Sequence, residues 1–125
     1  MKILLDTKIL FWWFYAFTRL PPLAKEQILA AEAVYVSSAS ILEIAVKGRL
    51  KKVACDPMRL AQHIEKTGFY ELPVTARHAA TLASLPPIHN DPFDRLLIAQ
   101  AMSEPVHLIT TDERLRQYSE LVVVV

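Results

Sequence analysis

Four acidic residues stand in four distant segments of the chain, each near the end of a predicted strand or the start of a predicted helix: Asp6, Glu43, Asp94 and Asp112. In parallel α/β sheets, such positions converge outside the carboxyl ends of the strands. Carboxylates that are forced together repel one another, and a hard divalent ion such as Mg²⁺ or Mn²⁺ relieves that repulsion. A carboxylate-held magnesium ion activates water and stabilises charge on a phosphate. The acids therefore indicate hydrolysis of phosphodiester bonds.

Each acid also has a structural interpretation, which the sequence leaves open. Aspartate is a preferred N-cap residue and is favoured in the first turn of a helix. Four aspartates occupy such positions: Asp6, Asp91, Asp94 and Asp112. Glu43 has the spacing of a capping-box partner for Ser40 and of an i,i+4 ion pair with Lys47. Capping does not explain, however, why an acid directly follows an apolar strand, as Asp6 does.

Basic residues near two of the acids are candidates for phosphate contacts: Lys47 and Arg49 in the basic stretch that ends at Lys52, and Arg95 beside Asp94. The alternative for the basic stretch is a solvated helix end that the helix dipole favours. We expect His78 and His89 to be surface or loop residues rather than ligands. A ligand set made only of acids argues against zinc.

The composition excludes several classes of protein. Of 125 residues, 53% are hydrophobic and 22% are charged, which excludes intrinsic disorder and predicts one domain over residues 1–125. The net charge of +1 means that any binding of nucleic acid depends on a local patch. The single cysteine, Cys55, leaves no intrachain disulfide and no cysteine-based zinc site. With glycine only at Gly48 and Gly68, the P-loop and the GxGxxG motif are also excluded.

The elements that must position the acids alternate between strands and helices. Predicted strands cover residues 2–6, 34–37, 69–72, 106–110 and 121–125. Predicted helices cover 7–18, 22–32, 57–66 and 75–85, one that begins at Ser38 or Ser40, one that begins at Pro92, and a short one after Asp112. This alternation predicts an α/β fold with a mostly parallel central sheet.

An apolar run from Ile9 to Phe17 precedes the first proline pair. It is too short to span a membrane, which takes about 20 residues. Asp6 and Lys8 before it, and the lack of a small-residue cleavage site after it, argue against a signal peptide. We therefore expect a cytoplasmic protein with no membrane contact. The aromatic segment 11–15 is too apolar for one buried face alone, which predicts that a partner protein or a homodimer covers part of it.

Several strings of residues together resemble one family, the PIN-domain ribonucleases, and within it the VapC-type toxins of bacterial type II toxin–antitoxin systems. The matching strings are Leu-Leu-Asp6-Thr, Ser-Ala-Ser-Ile-Leu-Glu43-Ile-Ala-Val-Lys47, His89-Asn-Asp-Pro-Phe-Asp94-Arg-Leu-Leu-Ile-Ala-Gln-Ala101 and Leu-Ile-Thr-Thr-Asp112. They stand in the family's order and extend over most of the chain. The third string is the most specific of the four.

The resemblance implies a three-layer α/β/α sandwich with an acidic pocket that binds Mg²⁺ or Mn²⁺ and cleaves RNA, with transfer RNA as one candidate. By this analogy Asp6, Glu43, Asp94 and Asp112 form the catalytic and metal-binding site, with Asp6 and Asp94 as the most dependable ligands. Thr110 is implied to hydrogen-bond near Asp6. Asp91 either caps its helix or supports the site from behind the ligands.

The resemblance also implies a cognate VapB-type antitoxin that blocks the pocket, and binding of promoter DNA only through the antitoxin. One residue departs from the family pattern, since relatives usually carry histidine where Lys8 stands. Lys8 keeps a positive charge but does not exchange protons near neutral pH. The alternative function is a PIN-like module that binds RNA or an antitoxin without cleaving RNA.

Overall fold

A central sheet of parallel strands organises the computed structural model, which describes residues 1–48 and 55–125. The strands are β1 (Lys2–Leu5), β2 (Ala33–Ser37), β3 (Tyr70–Leu72), β4 (His107–Thr110) and β5 (Val122–Val124). Their order is β3-β2-β1-β4-β5, and every pairing is parallel. This confirms the predicted α/β class. Arg49, one of the predicted phosphate-binding residues, lies outside the described residues.

Helices occupy the connections between the strands: α1 (Thr7–Tyr15), α2 (Pro22–Ala30), α3 (Ser38–Lys47), α4 (Pro57–Thr67), α5 (Ala76–Thr81) and α6 (Pro92–Ser103). Short 3₁₀ helices cover Phe17–Arg19, Leu82–Ser84 and Glu113–Gln117. The predicted helix 7–18 is shorter than expected, because the backbone leaves the helical region at Ala16, with φ −148° and ψ 55°. The predicted helices 22–32 and 75–85 are also shorter, ending at Ala30 and at Thr81.

The start of α3 decides between two interpretations of Glu43. The Ser37 side chain caps the helix by accepting a hydrogen bond from the backbone N–H of Ala39, at 3.0 Å. Ser40 instead lies inside the helix, where its hydroxyl accepts a hydrogen bond from Thr7 Oγ1 at 2.8 Å. The prediction of a capping box between Ser40 and Glu43 is therefore wrong, and Glu43 is free for another role.

Alternate residues of β1 pack into two different hydrophobic clusters. Ile3 and Leu5 belong to a cluster with α1, α2 and α4, whereas Leu4 belongs to one with α6. Side chains of a strand point alternately to opposite faces, so the helices cover both faces of the sheet. This arrangement is the three-layer α/β/α sandwich that the resemblance implies, and the family comparisons below agree with it.

The aromatic residues of α1 are partly core, as predicted. The Trp13 and Phe14 rings lie 5.9 and 6.0 Å from the Phe69 ring. Tyr15 and Phe17, by contrast, are 38% and 49% exposed. In the part of the chain that the structure describes, none of the helices combines the length and the apolar character needed to cross a membrane.

His78 is a buried structural residue, which corrects the expectation that it lies on the surface. Its backbone N–H and its Nδ1 atom form a reciprocal capping box with Thr75. Its Nε2 atom lies 2.7 Å from Glu104 Oε2. Thus His78 joins α5 to the end of α6.

Candidate active site

The two central strands place Asp6 and Thr110 side by side at their carboxyl ends. Leu5 of β1 pairs with Ile109 of β4, so the next residues in each strand are neighbours. The Thr110 hydroxyl donates a hydrogen bond to Asp6 Oδ2, and the Lys8 backbone N–H donates to Oδ1 at 3.0 Å. Strand order reverses direction at β1, and such switch points are where α/β sheets bind ligands. Asp6 thus caps α1 and also faces the crevice.

Asp94 lies in the first turn of α6 and faces the same crevice as Asp6. The pKa of Asp94 is raised to about 7, mainly by burial and also by the nearby carboxylates of Asp6, Asp91, Glu43 and Asp112. Burial also raises the pKa of Asp6, against the hydrogen bonds from Thr110 and the Lys8 backbone. These shifts mean that the site holds more negative charge than its own hydrogen-bond donors stabilise.

Lys47 joins Glu43 to Asp91. Its ammonium nitrogen lies 3.0 Å from Glu43 Oε2 and 2.9 Å from Asp91 Oδ2. The other oxygen of Asp91 caps α6 by accepting the backbone N–H groups of Phe93 and Asp94. Burial tends to raise the pKa of Asp91, but the hydrogen bonds from Lys47 and those two amides lower it overall. The i,i+4 pair is therefore present, and Asp91 both caps its helix and anchors Lys47.

Asp112 caps the 3₁₀ helix Glu113–Gln117 and is held by Arg114. Arg114 Nη2 lies 2.8 Å from Asp112 Oδ2, and Arg114 Nε lies 3.0 Å from Oδ1. The hydrogen bond from the Arg114 side chain is the main reason why the pKa of Asp112 falls to about 2. Asp112 is therefore a charged carboxylate that already has a cationic partner.

His89 is a site residue that the sequence did not predict. It lies in a loop, as expected, but its Nε2 atom is 3.3 Å from Asp94 Oδ2 and 3.2 Å from Asp112 Oδ2. Its Nδ1 atom accepts the backbone N–H of Asp91 at 3.0 Å, so the proton of the neutral ring is on Nε2. His89 therefore donates to the acids. The available signal was its place at the start of the most specific family string, two residues before an Asp-Pro helix start.

One cavity of about 690 Å³ contains these groups. Its lining combines acids, bases, His89 and part of α1: Asp6, Thr7, Lys8, Phe11, Trp12, Arg19, Glu43, Ile44, Lys47, Gly48, Cys55, His89, Asp91, Asp94, Thr111, Asp112 and Arg114. Arg95 is not brought to this cavity. Its guanidinium donates to the carbonyl oxygens of Leu82 and Leu85, at 3.2 and 3.1 Å, and so holds the loop before α6.

The donor set fits a hard divalent cation. Glu43 Oε1 is buried and has no hydrogen-bond partner among the described residues. An unpartnered buried carboxylate oxygen is costly unless a cation or water satisfies it. Ligand atoms of His89, Asp94 and Asp112 lie within 4.8 Å of one another, but the proton on His89 Nε2 leaves only the carboxylates as ligands in this arrangement. Oxygen-only sites suit Mg²⁺ or Mn²⁺.

Comparison with known proteins agrees with this geometry. The family model described as the PIN domain matches residues 3–121. The chain belongs to the PIN domain family. Ribonuclease VapC22 of Mycobacterium tuberculosis is 31% identical over 123 residues, and the match covers 93% of this chain and 91% of that protein.

Two solved structures share the PIN fold with this chain. VapBC2 from Rickettsia felis, bound to a DNA fragment from its promoter, matches with a TM-score of 0.70 and 14% identity, over 100% of this chain and 98% of that one. A toxin–antitoxin complex from Klebsiella pneumoniae matches with a TM-score of 0.67 and 19% identity, over 98% and 96%. The PIN fold that the sequence strings predicted is thus confirmed.

Proposed function

We propose that this PIN domain, formed by residues 1–125, is a metal-dependent endoribonuclease and the toxin of a VapBC-type toxin–antitoxin pair in the cytoplasm. The proposal rests on one observation: Asp6, Glu43 and Asp94 line one cavity, and their protein partners do not stabilise all of its carboxylate charge. The relationship to a protein named ribonuclease VapC22 supports RNA as the substrate.

Asp6 and Asp94 would hold the metal ion directly, and Glu43 and Asp112 would complete the site through water. A bound Mg²⁺ or Mn²⁺ lowers the pKa of a bound water and stabilises charge on a phosphate. Thr110 fixes one oxygen of Asp6, and Lys47 fixes one oxygen of Glu43, so each carboxylate presents its other lone pairs to the cavity. Such restraint keeps ligands oriented.

Glu43 would accept the proton of the attacking water. Its oxygen Oε1 would be the acceptor, because Oε2 already accepts a hydrogen bond from Lys47. His89 donates from Nε2 toward Asp94 and Asp112 and so limits their mutual repulsion. The products would be a 5′-phosphate and a 3′-hydroxyl, as the family resemblance implies.

The basic residues differ in how well they are placed to contact a phosphate. Lys47 lines the cavity but is engaged by two carboxylates, so we assign it to positioning Glu43, with any phosphate contact secondary. The Arg95 side chain is hydrogen-bonded to the loop before α6, so we do not assign it a phosphate contact. The role of Arg49 stays a prediction. Lys8 and Arg19 line the cavity, are exposed, and are better placed to meet a phosphate.

Exposed apolar residues on and beside α1 and α3 support a protein partner. Phe17, Leu42 and Val46 are 49%, 54% and 61% exposed on and beside α1 and α3. We propose that the chain forms a homodimer. We assign these exposed apolar residues to contact with a VapB-type antitoxin, and the complex would contact promoter DNA only through that antitoxin. The Rickettsia felis neighbour, described as VapBC2 bound to promoter DNA, supports this assignment.

Cleavage of labelled single-stranded RNA and of cellular tRNA tests the proposal, with Mg²⁺, Mn²⁺ and EDTA arms. Asp94→Asn is the inactivating variant, and Asp56→Asn is its matched control. Like Asp94, Asp56 lies at the start of a helix, where it is the N-cap of α4, but it does not line the acidic cavity, and asparagine caps nearly as well as aspartate. We expect metal-dependent cleavage that Asp94→Asn abolishes and Asp56→Asn retains. No cleavage by folded, metal-loaded protein, together with no growth arrest on expression without a partner, would support the non-catalytic alternative.

A further inference from the structure

One wall of the acidic cavity is aromatic and basic rather than acidic. Phe11 and Trp12 of α1 line the cavity together with Lys8 and Arg19. The acids of the cavity, apart from Asp6 at the start of α1, come from other elements. The wall that α1 and the residues after it contribute is therefore aromatic and basic, whereas the cations among the other acids, Lys47 and Arg114, are paired with carboxylates.

Trp12 is held firmly enough to serve as a platform. It is partly buried and packs against the core cluster beneath α1, while the cavity reaches its remaining surface. Lys8 Nζ lies 5.7 Å from the centroid of its ring. A cation–π contact at an exposed site is weaker than the stacking of a base on an aromatic ring, so a base can take that position and release Lys8 to a phosphate.

The neighbouring tryptophan is placed differently. Trp13 packs against Phe17 and Phe69, at ring-centroid distances of 5.4 and 5.9 Å. Both tryptophans belong to the described residues, and of the two only Trp12 lines the cavity. The chain thus contains its own internal control for any ligand that enters the cavity.

We propose that Trp12, with Phe11 beside it, is a stacking subsite for an unpaired nucleobase next to the scissile phosphate, with Lys8 and Arg19 binding the flanking phosphates. The inference rests on the proposed function and adds the expectation that the RNA is unpaired at this point. A helical rise of 1.5 Å per residue puts Trp12 about 9 Å along α1 from Asp6. A base that is paired in a duplex has no free face to stack there.

Fluorescence of two single-tryptophan variants tests this placement. Trp13→Phe leaves Trp12 as the emitter and Trp12→Phe leaves Trp13, and both are made in an Asp94→Asn background in EDTA so that no cleavage occurs. The probes are an oligoadenylate of about 12 nucleotides and an abasic strand of equal length, which carries the same phosphates. We expect saturable quenching of Trp12 by oligoadenylate, little by the abasic strand, and no quenching of Trp13.

Affinity measurements complete the test. Trp12→Leu keeps an apolar side chain against the core, and its folding is checked by thermal unfolding. We expect it to weaken oligoadenylate binding roughly 5- to 150-fold, as loss of one stacked base does, and to leave binding of the abasic strand unchanged. Unchanged oligoadenylate affinity, or equal quenching of both tryptophans, would overturn the subsite and leave this wall to a protein partner.

The experiment separates this inference from the proposed nuclease activity. Quenching of Trp12 with no cleavage in the metal assay would keep the base subsite and refute the nuclease. Cleavage in the metal assay without quenching would keep the nuclease and refute the subsite. Binding is measured in EDTA, so neither result depends on the other.

Discussion

The acidic cavity has two halves, and the pKa values of their carboxylates are shifted in opposite directions. In the inner half, Asp6 and Asp94 pair with no lysine or arginine of the described chain, and the pKa of each is raised, mainly by burial. In the outer half, Asp91 and Asp112 each have a cation at 2.9 Å or less, and the pKa of each is lowered. Both halves lie in the same cavity, so the difference comes from partners as well as depth.

This difference teaches which acids are suited to bind a metal ion and which are suited to build the site. A carboxylate that already has a cationic partner gains less from a divalent ion than one that has none. We therefore assign the inner half to the metal and the outer half to support. Glu43 lies between them, with one oxygen on Lys47 and the other unpartnered.

The largest expected effect comes from removing the charge of Asp94. Its pKa is raised to about 7, so the folded apo-protein binds this proton more tightly than the unfolded chain does. The stabilisation that this proton gives the folded protein is complete below the pKa that Asp94 has in the unfolded chain. It is lost as the pH rises through about 7, the pKa in the folded protein. Asp94→Asn should therefore be more stable than the wild-type apo-protein at pH 8, and this advantage should shrink by on the order of 2 kcal/mol, or about 5–10 °C in Tm, at pH 5.

Thermal unfolding in EDTA across this pH range measures the effect, with Asp56→Asn as the control that should follow the wild type. A constant difference between Asp94→Asn and the wild type at all pH values would show that the pKa of Asp94 is not raised in the folded protein. The inner half would then not differ from the outer half.

A smaller effect is expected from Lys47→Met, which removes the link between Glu43 and Asp91. Both salt bridges are partly exposed, so we expect a loss of about 1–2 kcal/mol at neutral pH rather than the larger cost of a fully buried pair. The pKa of Asp91 should rise toward its ordinary value. Urea unfolding gives the first quantity and carboxyl NMR titration the second. Lys66→Met, at an exposed position of α4, is the control. Stability equal to the wild type would mean that the link does not hold α3 to α6.

The smallest effect is expected from Arg114→Gln, which removes the cation from Asp112. Arg114 is 66% exposed, so solvent and salt screen its charge. Without it the cavity is more negative, and we expect Mn²⁺ to bind about two- to fivefold more tightly at low salt, with the gain lost at high salt. Arg116→Gln is the matched control, because Arg116 pairs with Glu113 outside the cavity. Weaker binding would show that Arg114 instead orients Asp112 as a ligand.

Most of the fold could be predicted because its signals are local. The Asp-Pro pairs at Asp56 and Asp91 mark helix starts through capping and the fixed φ of proline, and both helices begin there. The strand before Asp6 is apolar from Ile3 to Leu5 because both faces of a central parallel strand are buried. The end of α1 was missed because no glycine or proline marks the change in backbone at Ala16.

The partners of the acids could not be predicted in the same way. Arg95 is next to Asp94 in sequence, but consecutive helical residues face different directions, and it turns to the loop instead. Arg114 follows Asp112 by two residues in a 3₁₀ helix, where the chain bends back far enough for contact. Lys47 reaches Asp91 across 44 positions of sequence, which only the packing of α3 on α6 brings about.

Titration of Mn²⁺ into the apo-protein by calorimetry at pH 8 tests the central claim most directly, with Asp94→Asn and Asp56→Asn beside the wild type. Loss of a group outside the ligand shell costs about 10- to 100-fold in metal affinity, so loss of a ligand should cost at least as much. The account predicts binding by the wild type and by Asp56→Asn, and at least a 100-fold loss in Asp94→Asn. Equal affinity in all three proteins would contradict the assignment of the metal to the inner half of the cavity.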